Sequence, residues 1–193
     1  MVESKDSSNL SVSYTIIVYD KDGKEVERRE GVSKSFVANF LRFIRLLMAF
    51  SAPDATVPII DIGNLTLNAR RGDVENLSIT RIPVNGIIIG SGTLTPTPND
   101  YHLASVYGST IFNFSAHTIS DIIITGNETK FTIQRDFTNI DVSPQTVTEA
   151  GIIADVSDGT TISSALILRD TFSPITVNPQ STVRVIYTIK TIT

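Results

Sequence analysis

Apolar and polar residues alternate along several stretches of the chain. Val12, Tyr14, Ile16 and Val18 fall on one face of an extended segment, because successive strand side chains point to opposite sides. Asp20-Lys21-Asp22-Gly23-Lys24 follows, and Asp-Gly between two strand-like runs signals a tight turn. The return strand, Glu25 to Glu30, is short and charged, which suits an exposed sheet edge. Near the other end, Val183, Val185, Tyr187 and Ile189 face one way. Arg184, Ile186, Thr188 and Lys190 face the other, so the pattern predicts a strand from Arg184 to Ile192 tied into a sheet.

The period changes after Ser33. Phe36, Val37, Phe40, Leu41, Phe43, Ile44, Leu47 and Met48 recur at helical spacing, with Ser35, Asn39, Arg42 and Arg45 as a narrow polar stripe. Ser33 or Ser35 offers the N-cap hydroxyl, and Pro53 disfavours helix beyond Ala52. The remaining segments read as short strands between Gly, Pro, Asn and Asp signals. They are Val57 to Ile62, Asn64 to Asn68, Leu77 to Ile82, Gly86 to Ile89, Ile111 to Ala116, Asp121 to Thr125, Thr129 to Asp136, Val147 to Ala154 and Ser164 to Arg169. Pro174 and Pro179 bracket a further extended piece, Ile175 to Val177. The fold class expected is mainly β: an antiparallel β-sandwich, jelly-roll-like, with one amphipathic helix at residues 34–50 inserted near the N-terminus. Residues 1–10 read as a flexible or exchanged arm, and residues 11–193 as one domain.

Composition narrows the chemistry. Ile, Val and Thr make up about one third of the 193 residues, which favours pleated, half-buried strands. The net charge of -4 gives no strong basic field, so no nucleic-acid partner is expected. The chain has no Cys, which removes disulfides, thiolate metal sites and a cysteine nucleophile, and only 2 His. Met1 to Asn9 shows no secretory signal. Phe36 to Phe50 is shorter than the roughly 20 residues of a membrane span and contains Arg42 and Arg45, so no span is expected. With so few basic residues, that helix is expected to pack in a core or subunit contact, not on a membrane surface.

The candidate reactive groups are sparse. Gly90-Ser91-Gly92 lacks the lysine and following helix of a phosphate loop and reads as structural. Asp20, Asp22 and Gly23 lack the further ligands of a calcium loop and read as a hairpin turn. Asp54 with Asp61 is at most a loose cation site. His102 and His117 have no Gly-x-Ser-x-Gly serine to activate. Glu149, Asp155, Asp136 and Asp170 are the carboxylates a glycosidase would need, but the absence of Trp leaves few platforms for sugar stacking. No catalytic residue, metal ligand or cofactor is assigned, and the chain is read as a non-enzyme. Asn-x-Ser/Thr sequons occur at Asn9, Asn64, Asn76, Asn113 and Asn127. Asn64, Asn113 and Asn127 are the candidate glycosylation sites.

Three segments carry a resemblance: Gly90 to Leu103, Thr148-Glu149-Ala150-Gly151-Ile152, and Leu166 to Val177 with its Arg169-Asp170-Thr171-Phe172 core, ahead of a final strand. Together they resemble β-sandwich structural proteins of tailed-phage and archaeal-virus particles. That resemblance implies a capsid, turret, tail or fibre subunit in a virion, partnered by copies of itself and other virion proteins. Leu10, Phe36, Phe40, Phe43, Leu47 and Phe50 are the expected assembly contacts. The alternatives are a cellular extracellular filament or surface-layer subunit at the cell surface, and a carbohydrate-binding module.

Overall fold

A computed structural model describes residues 9–33, 35–48, 56–70 and 86–192. The expected arm before Asn9, Asp54, the strand Leu77 to Ile82 and the sequon at Asn76 lie outside them. The described chain is mainly β, with antiparallel sheets and one short helix. In order, β1 (Asn9–Tyr19) and β2 (Glu25–Ser33) precede α1 (Ala38–Met48) and the hairpin β3 (Thr56–Ile60) and β4 (Thr66–Arg70). Then come β5 (Gly86–Gly90), β6 (Phe112–Phe114), β7 (Thr118–Ile119), β8 (Ile123–Thr125), β9 (Glu128–Asn139), β10 (Gln145–Ser157), β11 (Ile162–Val177) and β12 (Thr182–Ile192).

The larger sheet runs β2-β1-β12-β9, with β6, β7 and β8 lying in turn along the far edge of β9. The last strand, β12, is inserted between β1 and β9 along its whole length, from Asn9↔Ile192 to Tyr19↔Thr182 on one side. The smaller sheet runs β11-β10-β5. One apolar core draws on both sheets: Val12, Ile16 and Val18 of β1, Val183, Val185 and Tyr187 of β12, Ile87 and Ile89 of β5, Ile152 of β10, and Leu168 of β11. These are the inward positions that period-two alternation predicted for β1 and β12. A second core packs Phe43 and Leu46 of α1, Val57 and Ile59 of β3 and Leu67 of β4 against Ala154, Val156 and Ala165. On the opposite face of the smaller sheet Val37, Ile88, Leu103, Ile153 and Leu166 form a third cluster, so that sheet is covered on both faces and β10 is buried continuously from Val147 to Ser157.

Two turns share one device. Asp20 Oδ1 accepts from the N–H groups of Asp22 and Lys24, and Asp61 Oδ1 accepts from those of Gly63 and Leu65. The fourth residue of each loop has positive φ: Gly23 at 79° and Asn64 at 62°. This is the aspartate-initiated hairpin loop with a left-handed residue before the return strand. Asp20 is thus engaged in turn formation.

The helix departs from expectation. It follows the first hairpin, and no serine caps it. Ser35 to Val37 instead run along β11: Arg169 N–H donates to Ser35 O, Val37 N–H to Ile167 O, and Phe36 bridges Leu168. Asn39 is not on a polar stripe but buried, its amide giving 2.7 Å to Ile60 O and taking 3.2 Å from Ile60 N–H. It ties the helix to the backbone of β3, a role a polar side chain can fill in a core once both its groups are bonded. Leu41, expected on the apolar face, is 68% exposed. Strand β11 also runs unbroken through Pro174, because the register shifts there: Thr171 pairs Glu149 and Ile175 pairs Val147, leaving Phe172 to Pro174 in a bulge on an edge strand.

Candidate functional site

The three resemblance segments meet at one buried cluster. Consecutive strand residues point to opposite faces, so Glu149 and Arg169 lie on the side of the smaller sheet away from Ala150, Leu168 and the main core. Arg169 Nε donates to Glu149 Oε2 at 3.0 Å, its Nη1 to Asp100 Oδ2 at 2.6 Å and its Nη2 to Leu94 O at 2.9 Å. Glu149 is fully buried and accepts from three backbone N–H groups as well: Gly92 at 2.9 Å, Ser105 at 2.7 Å and Ala104 at 3.1 Å. The glycine-rich loop does cradle an anion, but the anion is this chain's own carboxylate. A Cβ at Gly92 would lie 2.3 Å from Glu149 Oε1, so the close approach requires glycine. Each oxygen of the Glu149 carboxylate accepts two hydrogen bonds, and the cluster fastens residues 91–105 onto the sheet.

The other carboxylates are placed apart. Asp170, next along from Arg169, points into the main core toward Tyr187 and Tyr14; burial and its charge raise the pKa of both phenols. Asp155 accepts from Ser164 Oγ at 3.1 Å. Asp136 holds Arg184 with two bonds of 2.7 and 2.8 Å on the half-exposed outer face of the larger sheet. Glu149 and Asp170 therefore sit on opposite faces of one sheet, and no two of the four flank a common cleft in the manner of a glycosidase. Among the described residues no group of three or more His, Asp or Glu could hold a metal ion. None of their helices is long and apolar enough to cross a membrane.

A second polar constellation lines the edge of β5 away from β10, which no other strand pairs among the described residues. Its Gly90 end is paired by the loop, with Ser91 N–H on Ser105 O and Tyr107 N–H on Ile89 O. At Ile87 two side chains from the larger sheet replace a strand. Ile87 N–H donates to His117 Nε2 at 2.9 Å, and Arg135 Nη1 donates to Ile87 O at 2.9 Å. The His117 ring lies so close to Gly86 that a Cβ there would be 2.0 Å from Nε2, and Gly86 has φ of 85°. Because Nε2 accepts, the proton sits on Nδ1, which is buried without a hydrogen-bond partner. Burial, then the charge of Arg135, pushes His117 down to about 4.

Arg135 is the residue that period-two reading assigns to the core face of β9 and that a hydropathy reading passes over. It pairs with Val185 between Ile133 and Phe137, and it is 1% exposed. Its Nε donates to Ser115 O at 3.0 Å, and its guanidinium lies 5.2 and 5.5 Å from the ring centres of Phe114 and Phe137. Burial lowers its pKa to about 10, which leaves it charged at neutral pH. Beside it is a cavity of about 270 Å³, walled by Ile88, Leu103, Ile153, Phe114 and Phe137.

The expected contact residues scatter. Leu10 is 51% exposed at the start of β1; Phe36 and Phe40 are stacked at 3.9 Å and partly buried. Phe43 is buried in the second core, where no neighbour can reach it. The side chain of Leu47 and all of Phe50 lie outside the described residues. Asn64, Asn113 and Asn127 are all exposed, at a turn, an edge strand and a turn. His102 lies on the rim of the cavity, its ring against Tyr101.

One apolar surface was not anticipated as such. On the inward face of the larger sheet, Leu10, Thr191, Thr129 and Ile124 form one cross-strand row. Ile119 faces the same way, opposite Ile133. Leu10, Ile119, Ile122 and Ile124 are 45–73% exposed, so this end of the sheet overhangs the core; Ile123, opposite Lys130, lies on the other face.

No protein family matches the chain, and neither a curated protein nor a solved structure matches it.

Proposed function

We propose that this chain is a structural subunit that assembles with copies of itself in a virion, as a capsid, turret, tail or fibre component. The overhanging apolar row carries the proposal. Leu10, Ile119, Ile122 and Ile124 together present on the order of 400 Å² of apolar surface, within the range of the largest patch a single chain leaves uncovered. Two copies meeting face to face there bury about 800 Å², the size of a weak contact, so stable assembly needs the contact repeated through the particle. The other edge, β2, is lined with Glu25, Glu27, Arg28, Arg29 and Glu30, a composition that discourages pairing. Assembly is thereby directed to one end of the sheet. The two sheets sharing the main core constitute a jelly-roll-like sandwich in this reading, an architecture suited to repeated subunits. Exposure of Asn64, Asn113 and Asn127 suits a particle exterior. The alternatives weighed on sequence alone, a cell-surface filament and a carbohydrate-binding module, have no observation of their own in their favour.

Light scattering of the purified protein at micromolar concentration tests the proposal. It predicts a defined oligomer, and a chain with both Ile122→Lys and Ile124→Lys that is monomeric with an unchanged thermal melt. A native chain that stays monomeric up to millimolar concentration refutes it. Electron microscopy of the native particle then tests the virion assignment.

A further inference from the structure

The cavity beside β5 lies between two cores. Phe114 and Phe137, which belong with the main core, form one wall, and Ile88, Leu103 and Ile153 of the third cluster form the other. Its volume of about 270 Å³ far exceeds the voids of an ordinary interior and has room for several waters. Water needs polar partners, and the polar groups around this space are already bonded within the chain. Arg135 donates to Ser115 O and Ile87 O, lies against Phe114 and Phe137, and holds a further contact. Tyr107 Oη donates to Thr146 O at 2.8 Å, Gly108 O accepts from the N–H groups of Ile111 and Phe112, and His102 Nδ1 donates to Leu103 O. The mouth is bounded by Val106, Gly108 and Ser109, all exposed, which gives a way in from solvent.

We propose that this cavity binds a neutral apolar molecule of about ten carbon atoms. An apolar cavity of about 150 Å³ takes a single benzene ring, and on that scale this one holds two fused rings or a compact alicyclic skeleton of similar size. The rings of Phe114 and Phe137 already meet edge to face, centroids 5.6 Å apart at 71°, and offer a further ring the same arrangement. Selectivity comes from what the walls withhold. A charged or strongly hydrogen-bonding ligand gives up its water and finds the donors and acceptors around it taken, so its polar group goes unpaired. A neutral hydrocarbon gives up only unfavourable hydration. None of Val106, Gly108 and Ser109 belongs to the apolar row at the sheet end, so the inference stands apart from the assembly reading.

Fluorescence titration of the native protein with naphthalene, naphthoate and naphthylmethylamine at neutral pH reads the discrimination on one carbon skeleton. Naphthalene is expected to bind in the micromolar range, and both ions at least about tenfold more weakly. Val106 is 53% exposed and lines the mouth, so the larger ring of Val106→Trp closes the entrance without entering the core. Ser109→Trp, at the same mouth, is the second variant should the first melt early. Loss of naphthalene binding in either variant, with the thermal melt of the native protein retained, supports the site. Naphthoate binding as tightly as naphthalene or more so, no binding up to saturating naphthalene, or undiminished binding to the folded variants overturns it.

Discussion

Charged side chains do the connecting in this chain. Arg169 and Glu149 are both almost fully buried and hold each other; removing Glu149 leaves Arg169 its Asp100, but removing Arg169 leaves Glu149 with no cation. Replacing Arg169 by Leu is expected to destabilise the fold by about 3–5 kcal/mol, measured by urea denaturation, because Glu149 is left as a lone buried carboxylate. Arg169→Leu with Glu149→Gln should recover part of that loss. His117 sets an acid limit. Its ordinary pKa in the unfolded chain is about 6.5, and in the fold it is about 4. The unfolded chain therefore takes up the proton first, and stability falls as pH drops from about 6.5 to about 4, then levels off for this group. His117→Gln retains an acceptor for Ile87 N–H and removes the titration. The difference in stability between native and variant proteins should shrink as pH falls through that window, and a constant difference would exclude this role for His117.

Among elements, the strands with one wet face were the legible ones. In β1 and β12 every second residue is apolar, and the core follows the alternation from Val12 to Val18 and from Val183 to Ile189, Ile17 being buried as well on the opposite face of β1. The Asp20 turn was equally plain, since Asp-Gly states its own backbone geometry. Legibility fails where a polar residue does an apolar residue's job. Asn39 and Arg135 occupy interior positions because backbone groups of β3 and β5 supply their partners, and such partners are distant in sequence. It fails again where a proline is absorbed by a bulge, as in β11. The cluster of Glu149, Arg169, Asp100 and Gly92 was visible only as three separate short segments; nothing in their spacing announces that they touch. The Asp61 turn yields a prediction at this scale. Asn64 has φ of 62°, so Asn64→Gly should be neutral or stabilising, whereas Asn64→Ala should cost about 1 kcal/mol in thermal unfolding.

For the molecule as a whole, the placement of β12 matters most. Its eleven residues pair with β1 on one side and β9 on the other, so the larger sheet is held together by a strand that follows every other member of that sheet in the chain. A nascent polypeptide ending before Thr182 has β1 and β9 but nothing to join them, and both expose unsatisfied edges. Collapse of the main core must then await β12, which makes folding slow for the size of the sheet. Any truncated product released early would display two sticky strand margins, and the cell would have to degrade it or shield it.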